Sequence, residues 1–201
     1  MLRLARRAAP LGLLLVLFSQ SAALAATVNV SMTNFVFTPS NVKTPIGSTV
    51  IWTNNSGTPH TSTGDSPLSL WDSGSVGPAQ TFQFQFTAAG AYPYHCTFHA
   101  GMGMVGTVTV KMKATPASGG AGTMFQIKPA SKNAASPFVY EIQMKEPGGS
   151  FVHWQTTTAK TVIWDSTGLA PGVYQFRSQL VNTNTGATSG FSPGKKVTIT
   201  P

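Results

Sequence analysis

Short runs of alternating apolar and polar residues fill the first half of the chain. In chain order they read TVNVSMT, STVIWTN, TFQFQF and GTVTVKM. Alternation of this kind places one set of side chains on a single face of a strand, and that face is then buried against a second sheet. Turn signals separate the runs at Thr38-Pro39, Pro45-Ile46-Gly47, Asn54 to Gly57 and Ala89-Gly90. The pattern predicts a β-sandwich over residues 26–113.

A second strand-rich unit is predicted over residues 123–201. Its runs include FVYEIQMKE, KTVIWDS and GVYQFRSQLVN, and no internal repeat relates them to the first unit. Its predicted core consists of Ile142, Trp154, Val162, Trp164 and Tyr174, which suits a smaller sandwich. Residues 114–122, ATPASGGAG, have almost no apolar side chain to join a core and predict a flexible linker. The fold class expected is therefore all-β, with two sandwiches.

The N-terminus has the features of a secretory signal peptide. Arg3, Arg6 and Arg7 precede an apolar run from Leu11 to Phe18, and small residues follow at 23–25. The run is shorter than the roughly 20 residues of a membrane-spanning helix. We therefore expect residues 1–25 to be removed, by a pathway that the sequence leaves open, and the mature protein to be exported to the periplasm, the cell envelope or the medium, with no transmembrane segment.

Charge excludes a nucleic-acid-binding role. The chain has 13 Lys and Arg and five Asp and Glu, and removal of the signal peptide leaves ten basic and five acidic side chains, a net charge of +5. The lysines are scattered singly apart from Lys195-Lys196, without the interleaved aromatic residues of a nucleic-acid groove. Most of the positive charge falls in the second unit, which has seven basic and three acidic residues.

The single cysteine stands in the stretch YHCTFHAGMGM, where Cys96 is followed by His99, Met102 and Met104. A lone cysteine in an exported protein has three interpretations: an inert buried thiol, a nucleophile or intermolecular cross-link, and a metal ligand. Only the metal site accounts for the neighbouring histidine and methionines. Thiolate, thioether and imidazole together suit copper. Zinc is the alternative, and it fits less well because its structural sites are commonly richer in thiolate and do not require a thioether.

A further histidine has to come from elsewhere in the chain. His60 lies in the turn region TNNSGTPHTS, which can meet the loop after Cys96 at one end of a sandwich. His95 is a poorer candidate, because adjacent side chains on a strand point to opposite faces. His153 lies on an alternating strand of the second unit, where a surface role is expected.

The first unit resembles the plastocyanin and pseudoazurin branch of the cupredoxins. The segment YPYHCTFHAGMGMVGTVTV is similar to the ligand loop of that family, and FVFTPSNVKTPIGSTVIWTNNSGTPHT to its upstream region. The resemblance implies one type 1 copper ion with the ligands His60, Cys96, His99 and Met104. Met102 remains the alternative axial ligand, as in the shorter loop of amicyanin. Two positions depart from the family pattern: Thr61 replaces an asparagine, and Phe98 replaces a proline.

The resemblance implies an electron carrier that is not an enzyme, with a redox partner docking near His99, Phe98 and Met102. Copper storage or delivery, and a surface adhesion module with a structural copper, are the alternatives. An enzyme ranks below both, because a second copper site would need more histidines than the chain has. The second unit, with YEIQMKEPGG and LAPGVYQFRSQLVNTNTGATSGFSP, resembles a fibronectin type III module. This implies an adhesive or spacing role with a surface or protein ligand.

Overall fold

The computed structural model describes residues 26–201, whose regular structure is β-strand apart from one 3₁₀ turn. The signal peptide predicted for residues 1–25 lies outside the described residues. Across residues 26–201, no helix is long and apolar enough to cross a membrane.

The first unit is a sandwich of two four-stranded sheets. Its strands are β1 (Thr27–Thr33), β2 (Val36–Thr38), β3 (Asn41–Pro45), β4 (Ser48–Asn54), β5 (Thr63–Gly64), β6 (Thr81–Phe86), β7 (Gly90–His95) and β8 (Val105–Lys111), and the 3₁₀ turn covers Ala100–Met102. The sheet orders are β2-β1-β4-β6 and β3-β8-β7-β5. The pairs β1 with β4 and β3 with β8 are parallel, so these neighbours are joined by connections that leave their own sheet.

The buried faces of the strands follow the alternation in the sequence. In β4 the burial pattern alternates along the whole strand, with Val50 and Trp52 fully buried. Trp52 packs edge-on against Tyr94 of β7, with ring centroids 5.5 Å apart, and also contacts Trp71. This aromatic cluster joins the two sheets, as the period-2 pattern predicts.

The C-terminal part forms two further sheets. Its strands are β9 (Lys113–Thr115), β10 (Ser118–Gly119), β11 (Met124–Lys128), β12 (Phe138–Lys145), β13 (Val152–Thr157), β14 (Val162–Asp165), β15 (Gly172–Asn182) and β16 (Lys195–Ile199). The sheet orders are β14-β11-β9 and β10-β16-β15-β12-β13. Trp164 of one sheet packs against Tyr174 and Phe176 of the other. The predicted core residues all belong to the hydrophobic core, Trp154 being half-buried at its edge.

The segment predicted to be a flexible linker contributes two short strands to these sheets. Ala114 in β9 pairs with Ile127 of β11, and Ser118 in β10 pairs with Thr198 of β16. The linker prediction rests on the low apolar content of the segment, but backbone hydrogen bonds between strands need no large side chain. The structure therefore differs from the predicted flexibility, while the domain limits 26–113 and 123–201 stay predictions.

Backbone hydrogen bonds join the two units. The Ala89 amide donates to the Pro129 carbonyl over 2.8 Å, and the amides of Ala91 and Gly190 each donate to the other's carbonyl over 2.8 Å. Strand β7 begins at this junction and ends next to Cys96. One strand thus connects the junction with the residues that carry the candidate chemistry.

Candidate metal centre

Three predicted ligands meet at one end of the first sandwich. One ligand atom each from His60, Cys96 and His99 lies within 4.8 Å of the other two. The Cys96 Sγ is 3.8 Å from His60 Nδ1 and 3.4 Å from His99 Nδ1. Cys96 and His60 are fully buried, and His99 is half-buried, so the cluster reaches the surface through His99.

The loop from Cys96 to Met104 closes on itself through backbone hydrogen bonds. The Cys96 amide donates to the Met104 carbonyl over 3.0 Å, and the His99 amide donates to the Cys96 carbonyl over 3.1 Å. Gly103 follows the 3₁₀ turn with φ of +83°, a left-handed conformation that glycine adopts without strain. This closure brings Met104, whose side chain is fully buried, beside Cys96, whereas Met102 is 60% exposed.

The loop that presents His60 is organised by a buried asparagine. The Asn54 side-chain amide donates to the carbonyls of Thr58 and Val76, each over 2.8 Å, and its oxygen accepts from the Ser56 amide over 2.9 Å. His60 itself exchanges backbone hydrogen bonds with Val76. The position of this histidine is therefore fixed by contacts of its own loop with the segment around Val76.

The His60 ring is oriented with Nδ1 toward the cysteine. Its Nε2 lies 2.9 Å from Ser56 Oγ, so a proton on Nε2 can be donated to this hydroxyl and the Nδ1 lone pair is left free. Burial lowers the pKa of His60, and the neighbouring His99 lowers it further. Both effects favour the neutral imidazole, which is the form that binds a metal.

Thr61 ties the two ligand loops together. Its amide lies 3.3 Å from Cys96 Sγ and donates to it, which stabilises a thiolate. Its hydroxyl oxygen accepts from the Thr97 amide over 2.8 Å and lies 2.7 Å from Thr97 Oγ1. The threonine that replaces the family's asparagine thus still bridges the loops.

Phe35 is a site residue that the sequence analysis did not identify. Its ring centroid lies 4.4 Å from that of His99 and 6.3 Å from that of His60, so it covers the histidine pair. Asn34 and Phe35 have positive φ angles of 40° and 63°, which produce the tight turn that delivers the ring. Asn34 and Phe35, between two strands, mark the turn in the sequence. No sequence pattern near them indicates that the Phe35 ring contacts His99 in another loop.

The other histidines and the acidic residues of the first unit lie outside the cluster. His95 Nδ1 is 2.6 Å from Asp65 Oδ1, and His153 is exposed, with Nδ1 3.9 Å from Glu141 Oε1. Asp72 accepts hydrogen bonds from the Thr63 hydroxyl and the Gly74 amide. Within residues 26–201 no carboxylate joins the Cys96 cluster, so the triad that a nucleophilic cysteine needs is not assembled there.

The donor set and its spacing fit a single d-block ion. With bond lengths of about 2.3 Å to sulfur and 2.0 Å to nitrogen, as for Zn²⁺, a trigonal centre separates sulfur from nitrogen by about 3.7 Å. The observed separations of 3.4 and 3.8 Å bracket that value. Thiolate, two imidazoles and a thioether nearby match copper better than zinc.

The sequence of the first unit matches a family model. Residues 24–111 match the model of the copper binding proteins, plastocyanin/azurin family. The plastocyanin of Scenedesmus fuscus is 38% identical over 86 residues, which cover 38% of this chain and 87% of that protein. The chain belongs to the plastocyanin/azurin family. The plastocyanin of Sambucus nigra is 34% identical over 89 residues, covering 38% of this chain and 89% of the relative.

Part of this chain is similar to solved cupredoxin structures. The novel purple cupredoxin from Nitrosopumilus maritimus aligns with 29% identity and a TM-score of 0.39, over 42% of this chain and 99% of the other. Family membership and the clustered ligands together establish one type 1 copper site, in a plastocyanin-like sandwich, and the further sheets extend beyond the family match.

Proposed function

We propose that the protein is an exported electron carrier that shuttles single electrons between redox partners. The observation that carries this proposal is the position of the Cys96 thiol between the Nδ1 atoms of His60 and His99. When bound there, copper supplies a one-electron Cu(I)/Cu(II) couple. The expectation of a non-enzymatic role agrees with membership in the plastocyanin/azurin family.

His60 Nδ1, Cys96 Sγ and His99 Nδ1 would hold the copper ion, and Met104 is proposed as the fourth ligand. Burial favours Met104 over Met102, because Met104 is 0% exposed and Met102 is 60% exposed. Strand β8 begins directly after Met104 and limits the movement of its backbone. A weak, long thioether bond is the expected axial interaction in such a set.

The chain holds the ligands in place before any metal binds. Asn54 fixes the loop of His60, and the Cys96 amide closes the second loop on the Met104 carbonyl. Thr61 joins the two loops and donates its amide hydrogen to the thiolate. Because the ligands are constrained, a change of oxidation state requires little rearrangement of protein groups, which favours fast electron transfer over substrate activation.

Partner docking is proposed at the apolar surface around His99. Phe35, Phe98 and Met102 are 38%, 54% and 60% exposed, and the rings of both phenylalanines lie within 6.2 Å of the His99 ring. An apolar surface of this kind suits the small, transient contact of redox proteins. Residues 26–112, which contain the copper site, have two lysines and two acids, so we expect the docking rate to depend weakly on ionic strength.

The C-terminal unit is proposed to be a fibronectin type III-like module that spaces the copper domain from a surface or binds a protein ligand there. Two packed, largely antiparallel sheets around Trp164 support this proposal. Export to the periplasm, the envelope or the medium is proposed from the signal peptide predicted for residues 1–25. Fractionation of cells that express the full chain tests the export, which predicts the protein in the envelope or the medium. If the protein is bound to the envelope and becomes soluble when residues 123–201 are deleted, the C-terminal unit binds a surface ligand.

Addition of Cu(II) to the purified mature protein tests the copper function. We expect an intense thiolate-to-copper absorption band at about 600 nm, with one copper per chain, that is lost in Cys96→Ser. A reversible one-electron titration of this band supports electron transfer. Copper that binds only as Cu(I), without the band, would instead indicate storage or delivery.

Methionine variants test the axial ligand. Met104→Leu should shift the band and the reduction potential, because the leucine removes the thioether and keeps the volume. Met102→Leu is the matched control and should change neither property. The opposite result would move the axial role to Met102.

A further inference from the structure

A cleft with four lysines lies where the two units meet. It has a volume of about 420 Å³, and Ile46, Gly47 and Gln85 of the first sandwich form one wall. The lining also includes four lysines of the C-terminal sheets and their loops: Lys113, Lys128, Lys132 and Lys160. These residues are far apart in sequence, so only the packing of the units assembles the cleft.

The lysines of the cleft repel one another. Lys113 and Lys128 are direct partners in the antiparallel pair of β9 and β11, so their side chains leave the sheet on the same face. Like charges directly opposite each other destabilise a sheet. Lys132 and Lys160 are exposed beside them, and a hydrogen bond from the Lys160 amide to Asn133 Oδ1, of 3.0 Å, fixes that backbone close to Lys132.

Acidic side chains do not compensate this charge. None of the residues that line the cleft is acidic. Between residues 26 and 201 the close contacts of a carboxylate with a basic side chain are those of Asp65 with His95 and of Glu141 with His153, and neither involves a lysine. Asp72 and Asp165 are engaged by local hydrogen bonds. The concentrated positive charge is therefore uncompensated within the part of the chain that the structure describes.

We propose that this cleft binds a multivalent oxyanion, a ligand with several linked phosphate groups. Lysine ammonium groups act as mobile point charges with three donors each, which suits phosphate oxygens arranged along a short chain. Gln85 and Thr161, which also line the cleft, offer an amide and a hydroxyl as neutral donors.

The cleft is formed before the ligand arrives. The Ser131 amide donates to the Thr87 carbonyl over 2.8 Å, and the Gln85 side-chain amide donates to the Gly47 carbonyl over 3.1 Å. Ser131 also lies over Gly47, since a Cβ built on that glycine would be 3.2 Å from the Ser131 Cβ. Because both walls are fixed, binding does not have to order a loop, and affinity is not reduced by that entropy cost.

Calorimetric titration of the mature protein with tripolyphosphate tests the proposal. We expect one site per chain and a loss of about tenfold in affinity for each lysine replaced, since a hydrogen bond to a charged group contributes about 1.5 kcal/mol or more. The test variant is Lys128→Gln/Lys132→Gln. The matched control is Lys195→Gln/Lys196→Gln, which removes the same charge from β16, away from the cleft. If the test variant does not fold, Lys132→Gln/Lys160→Gln removes the two exposed lysines instead.

A second arm distinguishes a soluble ligand from a lipid headgroup. Vesicles of cardiolipin, whose headgroup joins two phosphates through a glycerol, in phosphatidylcholine are sedimented with the same variants, at constant ionic strength. Tripolyphosphate binding without vesicle binding identifies a soluble oligophosphate, and vesicle binding that requires the cleft lysines identifies a membrane headgroup. Absence of binding to both probes would overturn the proposal. An equal loss of affinity in the Lys195→Gln/Lys196→Gln control would also overturn it, because attraction to the net charge of the protein would then explain the binding. The copper band serves as the folding control in each variant.

Discussion

Replacement of Thr61 by valine removes the side-chain link between the two ligand loops while retaining the shape of the side chain. Thr61 is 3% exposed, and its hydroxyl oxygen accepts from the Thr97 amide over 2.8 Å. The same oxygen accepts from the Thr63 hydroxyl over 3.0 Å. The backbone hydrogen bond from Thr61 to Cys96 Sγ does not involve the hydroxyl and is preserved.

The size of the stability loss in Thr61→Val follows from the groups that lose a hydrogen-bond partner. Valine leaves the Thr97 amide beside a methyl group, and because Thr97 is exposed and the hydrogen bond is part-buried, its loss costs about 0.5–1.5 kcal/mol. The Thr63 hydroxyl retains Asp72 Oδ1 at 3.0 Å, so it adds little to the loss. We therefore expect the free energy of unfolding to fall by about 1 kcal/mol, which corresponds to a decrease in Tm of about 2–4 °C for a chain of this size.

Guanidinium unfolding of the copper-free protein, followed by tryptophan fluorescence, measures this loss without a metal contribution. Thr61→Ser is the control, because it keeps the hydroxyl oxygen and removes only a methyl group. Hydrogen exchange at the Thr97 amide should be faster in the valine variant than in the serine variant. Equal stability of the two variants, with unchanged exchange at Thr97, would refute the role assigned to the hydroxyl.

Three further predictions concern the cores of both units and the C-terminal sheet. Gly106→Ala should lower stability by about 1–3 kcal/mol through overpacking, because its Cβ would lie 2.6 Å from Oη of the fully buried Tyr94; chemical denaturation checks this. Burial raises the pKa of Tyr94 to about 12. Between pH of about 10 and 12 the native state therefore keeps the phenol proton that the unfolded chain releases. The free energy of unfolding should fall over this range, by at most about 1.4 kcal/mol per pH unit. Denaturation at each pH should show a shallower decline in Tyr94→Phe. Arg177→Met should lower the Tm, since the guanidinium lies 4.2 Å from the Phe151 ring centroid and 4.3 Å from that of Phe191. Arg177→Lys should lower the Tm less than Arg177→Met does, because the ammonium keeps the charge but lacks a planar group that stacks on the rings.

Much of the fold was predictable because the strands bury alternate residues. The run STVIWTN gives a strand whose alternate residues are buried, and Trp52 lies at the centre of the core as its position in the run predicts. The linker prediction differed from the structure at Ala114 and Ser118, where pairing partners come from distant strands. Composition reports whether a segment has side chains for a core, and it carries no information on backbone partners.

The loop that carries Cys96, His99 and Met104 is local, so the sequence by itself determined the chemistry of the copper site. Thiolate, imidazole and thioether within one short loop require no knowledge of the fold to indicate a soft metal. Phe35 over His99 and the hydroxyl of Thr61 under Thr97 were decided by the tertiary structure, since each contact joins segments from different parts of the sandwich. The lysines illustrate the same physical reason. They are scattered along the chain, and the folding of the C-terminal sheets and their loops brings four of them to one cleft beside the first sandwich.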